Sequence, residues 1–234
     1  MVTFEATIQD KKIKMFADFP LKNAAEAIIK TLAGISQKVN IFSNGFVMGF
    51  GWAYFFLDKR EEDGEEYWVV QTTDYKKNPM SDKTDNVTVS LLVQNMQVET
   101  VRTAKVKPEA TTFKDTVLVL KKALEEKDVY MNRTKPEKEG DSGWYFGLLN
   151  DPNEENHQAD EYIVIPSYEF LKLRSEALRV LEMPFGTVAV FHENTLTALV
   201  DENDKPLNFT KPEKKAENSN SDEEKTSDKP KENK

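Results

Sequence analysis

The sequence predicts an α+β fold, with mixed or antiparallel sheets and packed helices, from three observations. Val2, Phe4, Ala6 and Ile8 alternate with polar neighbours, which is the two-residue period of a half-buried strand. Leu21, Ala24, Ala25, Ile28, Ile29 and Leu32 instead recur at helical spacing. Turn signals then separate short apolar runs along the rest of the chain, and 38% apolar residues over 234 positions suffice to bury a core.

Taken in order, a strand over 2–8 is followed by a helix that starts near Pro20, suited to a first turn, and stops near Gly34. Glu26 and Lys30 are spaced to pair on its wet face. Val39 to Leu57 carries no charge over 19 residues. It still does not read as a membrane span, because Asn40, Ser43, Asn44 and three glycines interrupt it and Asn44-Gly45 signals a hairpin. Strands near 38–43, 46–57 and 66–73 form a meander, with Asp63-Gly64 in the second turn.

Val87 to Val106 fits either period. Asp85 or Asn86 as a cap, and Pro108 beyond the end, favour a helix. Thr112-Phe113-Lys114-Asp115 has the form of a capping box and predicts a helix with Phe113, Val117, Leu120 and Leu124 on one stripe. Strands are expected at 128–133, 143–148 and 161–165. A helix from about Ser167 turns Phe170, Leu173, Ala177 and Leu181 inward and ends at Met183-Pro184. Two short strands, 187–191 and 196–201, meet at a turn around Glu193-Asn194.

From Lys211 onward there is no large apolar or aromatic residue, so 209–234 is expected to be a disordered, charged tail. A soft boundary near Lys107 to Thr111 divides the rest into units 1–108 and 109–208, with one continuous sheet as the alternative. The last 24 residues hold seven Lys against five Glu and two Asp, so the body carries all of the net charge of −9. An acidic body argues against nucleic acid as a ligand and favours a basic protein partner. The absence of cysteine rules out disulfides, thiolate nucleophiles and cysteine-ligated metals. No signal peptide is read at the start, which makes the expected location cytoplasmic.

The chemistry-bearing patterns are few. His157 and His192 lie far apart without matching ligands, so no metal and no cofactor is expected. Gly-x-Ser-x-Gly and the phosphate-cradling loop are absent. Two acidic groups remain: Asp74, Asp82 and Asp85, and Asp141 with Asp151, Glu154, Glu155 and Asp160. Carboxylates so placed serve either as turn residues or as acid–base and cation ligands.

The most informative pattern is Val129-Tyr130-Met131-Asn132-Arg133, a charged gap from Lys135 to Gly140, and then Asp141-Ser142-Gly143-Trp144-Tyr145-Phe146. As structure, Asp141 bonds the backbone two residues on, Gly143 takes a positive φ, and Trp144 starts a strand with its ring buried. As function, Asp141, Ser142 and Trp144 edge a pocket facing Arg133. A tight turn feeding a strand needs these residue types whatever the protein binds, so the structural account takes precedence.

These residues resemble the bacterial immunity protein 33-like family, over roughly 111–200. In that family an aromatic or apolar strand with a basic residue precedes a similar Asp-Ser-Gly-Trp, and an acidic loop follows. Here the loop, Asn150 to Asp160, departs from that pattern in carrying His157-Gln158 and in lacking an Asp-Asn-x-aromatic close. The resemblance implies a non-enzymatic cytoplasmic protein whose partner is a cognate protein toxin, with no catalytic residues to assign. Arg133, Asp141, Ser142, Trp144, Asp151 and Asp160 are the candidate binding residues. A small-ligand module near Arg133, Asp141 and Trp144 is the second reading. A hydrolase using Asp74, Asp82 and Asp85 about a divalent ion is the third.

Overall fold

In the computed structural model, residues 1–210 are described. The tail expectation therefore lies largely outside the described residues. The chain begins with strand β1 (Val2–Ile8), which turns through Gln9 and Asp10, both at positive φ, into β2 (Lys11–Ala17). Sequence reading did not foresee β2, because its lysines mask the buried set Ile13, Met15 and Ala17. Helix α1 (Lys22–Ser36) follows and buries Ala25, Ile28 and Leu32. It runs through Gly34 instead of stopping there, and Glu26 pairs with Lys22 at 3.7 Å instead of with Lys30.

No strand forms at 38–43. Asn40 and Ser43 engage the local backbone, with Phe42 N–H donating to Asn40 Oδ1 at 3.1 Å and Ser43 Oγ donating to Asn40 O at 3.0 Å. Such bonds compete with a sheet ladder. The hairpin forms further on: β3 (Val47–Phe50) pairs with β4 (Ala53–Glu62) across Gly51-Trp52, and β4 pairs with β5 (Glu65–Thr73) across Asp63-Gly64. After the short β6 (Lys83–Thr84) comes α2 (Thr88–Ala104), where Asn86 Oδ1 accepts from the Thr88 N–H at 3.0 Å.

The capping-box expectation fails in an instructive way. Asp115 Oδ2 does accept from Thr112 N–H at 2.6 Å, but the chain then extends as β7 (Thr116–Leu120), with Val117 and Val119 buried. A β-branched run with period-two burial overrides the local helix signal. β8 (Asp128–Arg133), β9 (Asp141–Leu148) and β10 (Tyr162–Pro166) fall where predicted. The helix from Ser167 is broken. Its α-helical part, α3 (Phe170–Leu173), ends at Arg174, whose backbone leaves the helical region (φ −153°, ψ 70°), and a 3-10 segment, Ser175–Val180, follows. Leu173 is 43% exposed and does not face inward. The chain closes with β11 (Val188–His192) and β12 (Thr195–Val200).

Among the described residues the strands form two mixed sheets. The first runs β1-β2-β5-β4-β3, with β6 on β5 and a parallel β2/β5 pair. The second runs β10-β7-β9-β8-β11-β12, with a parallel β7/β9 pair. A contiguous buried cluster extends from Ile13 and Trp52 to Phe146 and Phe191. Trp52 joins the two sheets: its indole N–H donates to Ser167 Oγ at 3.1 Å, and its carbonyl accepts from Phe113 N–H at 3.0 Å. Gln97 of α2 adds a bond to Leu178 O at 2.9 Å. No helix among the described residues is long and apolar enough to cross a membrane.

Candidate functional site

The Asp-Ser-Gly-Trp turn is built from the inside. Asp141 Oδ1 accepts from Gly143 N–H at 2.9 Å, and Ser142 Oγ donates to Thr116 O at 2.6 Å. Gly143 sits at φ +74°, and a Cβ there would come within 1.9 Å of Thr134 O, so only glycine fits. The Trp144 ring is 1% exposed and donates to Leu181 O at 3.1 Å. Arg133 is 2% exposed and lies between Trp144 and Phe185, 5.5 and 4.9 Å from their ring centres. Its guanidinium donates to Ser142, Glu109, Leu181, Met183 and Ala110 carbonyls and to Thr111 Oγ1. Burial pulls its pKa down to about 10, which leaves it charged at neutral pH.

The candidate residues do not meet in one place. Arg133, Asp141, Ser142 and Trp144 gather at the start of β9, whereas Asp151 and Asp160 lie in the loop beyond its end. The length of β9 (Asp141–Leu148) separates Asp141 from the loop groups.

Between them lies the outer face of the second sheet. Its inner face (Val117, Val119, Val129, Met131, Phe146, Ala189 and Phe191) is buried. The register sets Val164, Leu118, Tyr145, Asn132, Val188 and Val200 in one row across all its strands on the other side. Val164 is 63% and Leu118 is 42% exposed. Tyr145 lies edge-on to Tyr130, centres 5.7 Å apart, and 6.3 Å from Tyr162. Gly147 is what lets Tyr145 lie down, since a Cβ there would meet its hydroxyl at 2.5 Å.

The acidic loop borders this face. Tyr130 OH donates to Glu154 at 2.7 Å. His157 is held between Asp151, at 2.6 Å, and Glu161, at 3.0 Å, with its ring edge-on to Tyr162. Those two carboxylates, Asp151 first, raise the His157 pKa; its hydrogen bond in turn lowers that of Asp151. Burial, then the glutamate, pushes Tyr130 up, and burial pushes Tyr145 to about 12. The loop from Asn150 to Glu161 contains no Lys or Arg. The arrangement is an apolar, tyrosine-rich surface beside a negative rim, suited to holding a macromolecule with exposed apolar and basic groups.

Asp74, Asp82 and Asp85 are engaged elsewhere. Asp85 takes a two-pronged bond from Arg60, at 2.7 and 2.8 Å, and one from Gln71, while Asp74 and Asp82 accept backbone N–H groups in their own loop. Among the described residues no three His, Asp or Glu side chains group closely enough to hold a metal ion.

Residues 96–201 match the family model described as Imm33-like domain, in agreement with the motif resemblance. No curated protein and no solved structure matches the chain. The match spans α2 from Met96 through β12 and so contains the whole open face and its acidic loop. Leu118 and Val164, the most exposed apolar residues of that face, escaped sequence reading. For Leu118 the helical reading of 112–124 hid the alternation, and neither position shows which side of a sheet will be covered.

Proposed function

We propose that this protein is a non-catalytic, cytoplasmic immunity-type protein that binds and neutralises a cognate protein toxin, holding it on the outer face of its second sheet. The observation that carries this reading is the apolar row with Tyr130, Tyr145 and Tyr162 beside an acidic loop without Lys or Arg, all within the segment that matches the Imm33-like family. Aromatic anchors in the centre of an interface supply most of its affinity, and a negative rim speeds the approach of a basic partner. On this reading Arg133, Ser142 and Trp144 position β9, and Asp151 and Asp160 belong to the rim. The sequence-based units 1–108 and 109–208 then each carry one sheet, with α2 of the first packed against the second.

The test pairs capture with protection. The full chain should retrieve a protein with a toxin domain from its source cells and rescue growth when the two are co-expressed. Leu118→Arg combined with Val164→Arg should weaken capture at least about tenfold, the effect of losing roughly 1.4 kcal/mol, with unchanged thermal stability. A folded double variant that captures and protects like the parent would place the contact elsewhere.

A further inference from the structure

A cavity of about 490 Å³ lies where α2, α3, the 3-10 segment after it and the β11–β12 turn converge. That volume is in the range of small-molecule sites. Two of its lining groups are cationic, Lys172 and Arg179, in a body whose overall charge is negative. Arg179 is half-buried, makes no hydrogen bond or ion pair among the described residues, and its Nε–H is sealed from water without an acceptor. Glu99 acts on it only through the longer-range field.

The nearby carboxylates other than Glu99 are engaged by other cations. Glu176, which also lines the cavity, accepts from Arg174 Nε at 2.5 Å, and Glu193 accepts from Lys127 at 2.7 Å. Arg174 also donates to the carbonyls of Ala123, Glu126 and Glu193. The cavity therefore retains two cations without a hydrogen-bonded carboxylate, with Ser175 and Asn194 as neutral polar groups and Met96 and Leu173 as apolar wall. Leaving a guanidinium half-desolvated and unpaired is unfavourable, and an oxyanion that accepts from its terminal N–H groups lowers that penalty, although the sealed Nε–H stays out of reach.

We propose that this cavity binds a small organic acid, with the carboxylate on Arg179 and Lys172 and the apolar end against Met96 and Leu173. The site is independent of the toxin-binding reading. Hexanoate is the probe and hexanol its uncharged control, each titrated into the full chain and followed by NMR. Hexanoate is expected to give saturable shifts at the Met96 and Leu173 methyls and the Arg179 Nε–H. Hexanol, and hexanoate with Arg179→Gln, should bind about tenfold more weakly or worse, as loss of one charge-assisted pair implies. Lys172→Gln, at an exposed position, should fold normally and weaken hexanoate several-fold, which keeps the test open if the Arg179 variant does not fold. Absence of saturable shifts, or hexanol binding as well as hexanoate, would overturn the proposal.

Discussion

A buried guanidinium is tolerated only when its N–H groups find acceptors, and the acceptors of Arg133 come from three separate stretches: 109–111, Ser142, and 181–183. Leu181 O alone accepts from Arg133, Trp144 and Thr111. Arg133→Met would keep the bulk and strand these carbonyls, so a loss of about 3–5 kcal/mol is expected in urea denaturation; a loss under about 1 kcal/mol would show that water satisfies them. Trp144→Ala should lose a similar ~3–5 kcal/mol, because its ring is core and not a contact surface; a variant of normal stability with impaired partner binding would contradict that placement. The turn was legible in sequence, since Asp and Gly act on their own backbone. The role of Arg133 was not, because a cation in a strand pattern carries no sign of which distant carbonyls will meet it.

At the level of elements, His157 ties the two ends of the acidic loop together, and its grip depends on pH. The His157 pKa is raised in the folded chain, so its contribution is full below the unfolded value of about 6.5 and is lost as pH rises through the raised value. Asp151 and Glu161 are lowered, Asp151 chiefly by His157 and Glu161 chiefly by the Gln158 N–H. Their contribution is present above about pH 4 and is lost as pH falls through the lowered values. The loop should be most protected between about pH 4.5 and 6.5, as read by amide exchange at Asn153 and Gln158, and His157→Gln should flatten the alkaline side of that profile. Equal exchange at pH 6 and pH 9, after correction for intrinsic rates, would remove His157 as the tie. Strand positions such as 128–133 could be read from sequence because alternation survives in them. β2 and β7 could not: lysines obscured one, and a genuine Asp115 turn mimicked a helix start at the other.

At the scale of the whole molecule, the Imm33-like match begins at Met96, inside α2, and the packing gives a reason for that position. The 3-10 segment Ser175–Val180 shares the buried cluster with the second sheet and packs against α2, where Gln97 donates to Leu178 O. A chain begun at 109 would leave Leu178 and Leu181, both 1% exposed or less, facing water. Uncovering one such leucine side chain costs about 1.5–3 kcal/mol, a large share of a domain's net stability. A fragment 88–208 should therefore be more stable than 109–208, with a higher denaturation midpoint and less binding of an apolar dye. Two fragments of equal stability would mean that α2 serves the first sheet alone. The alternation that defines each sheet is local and readable in sequence. The packing of one helix between two sheets is set by residues some 80 positions apart, Gln97 and Leu178, and had no local signature to read.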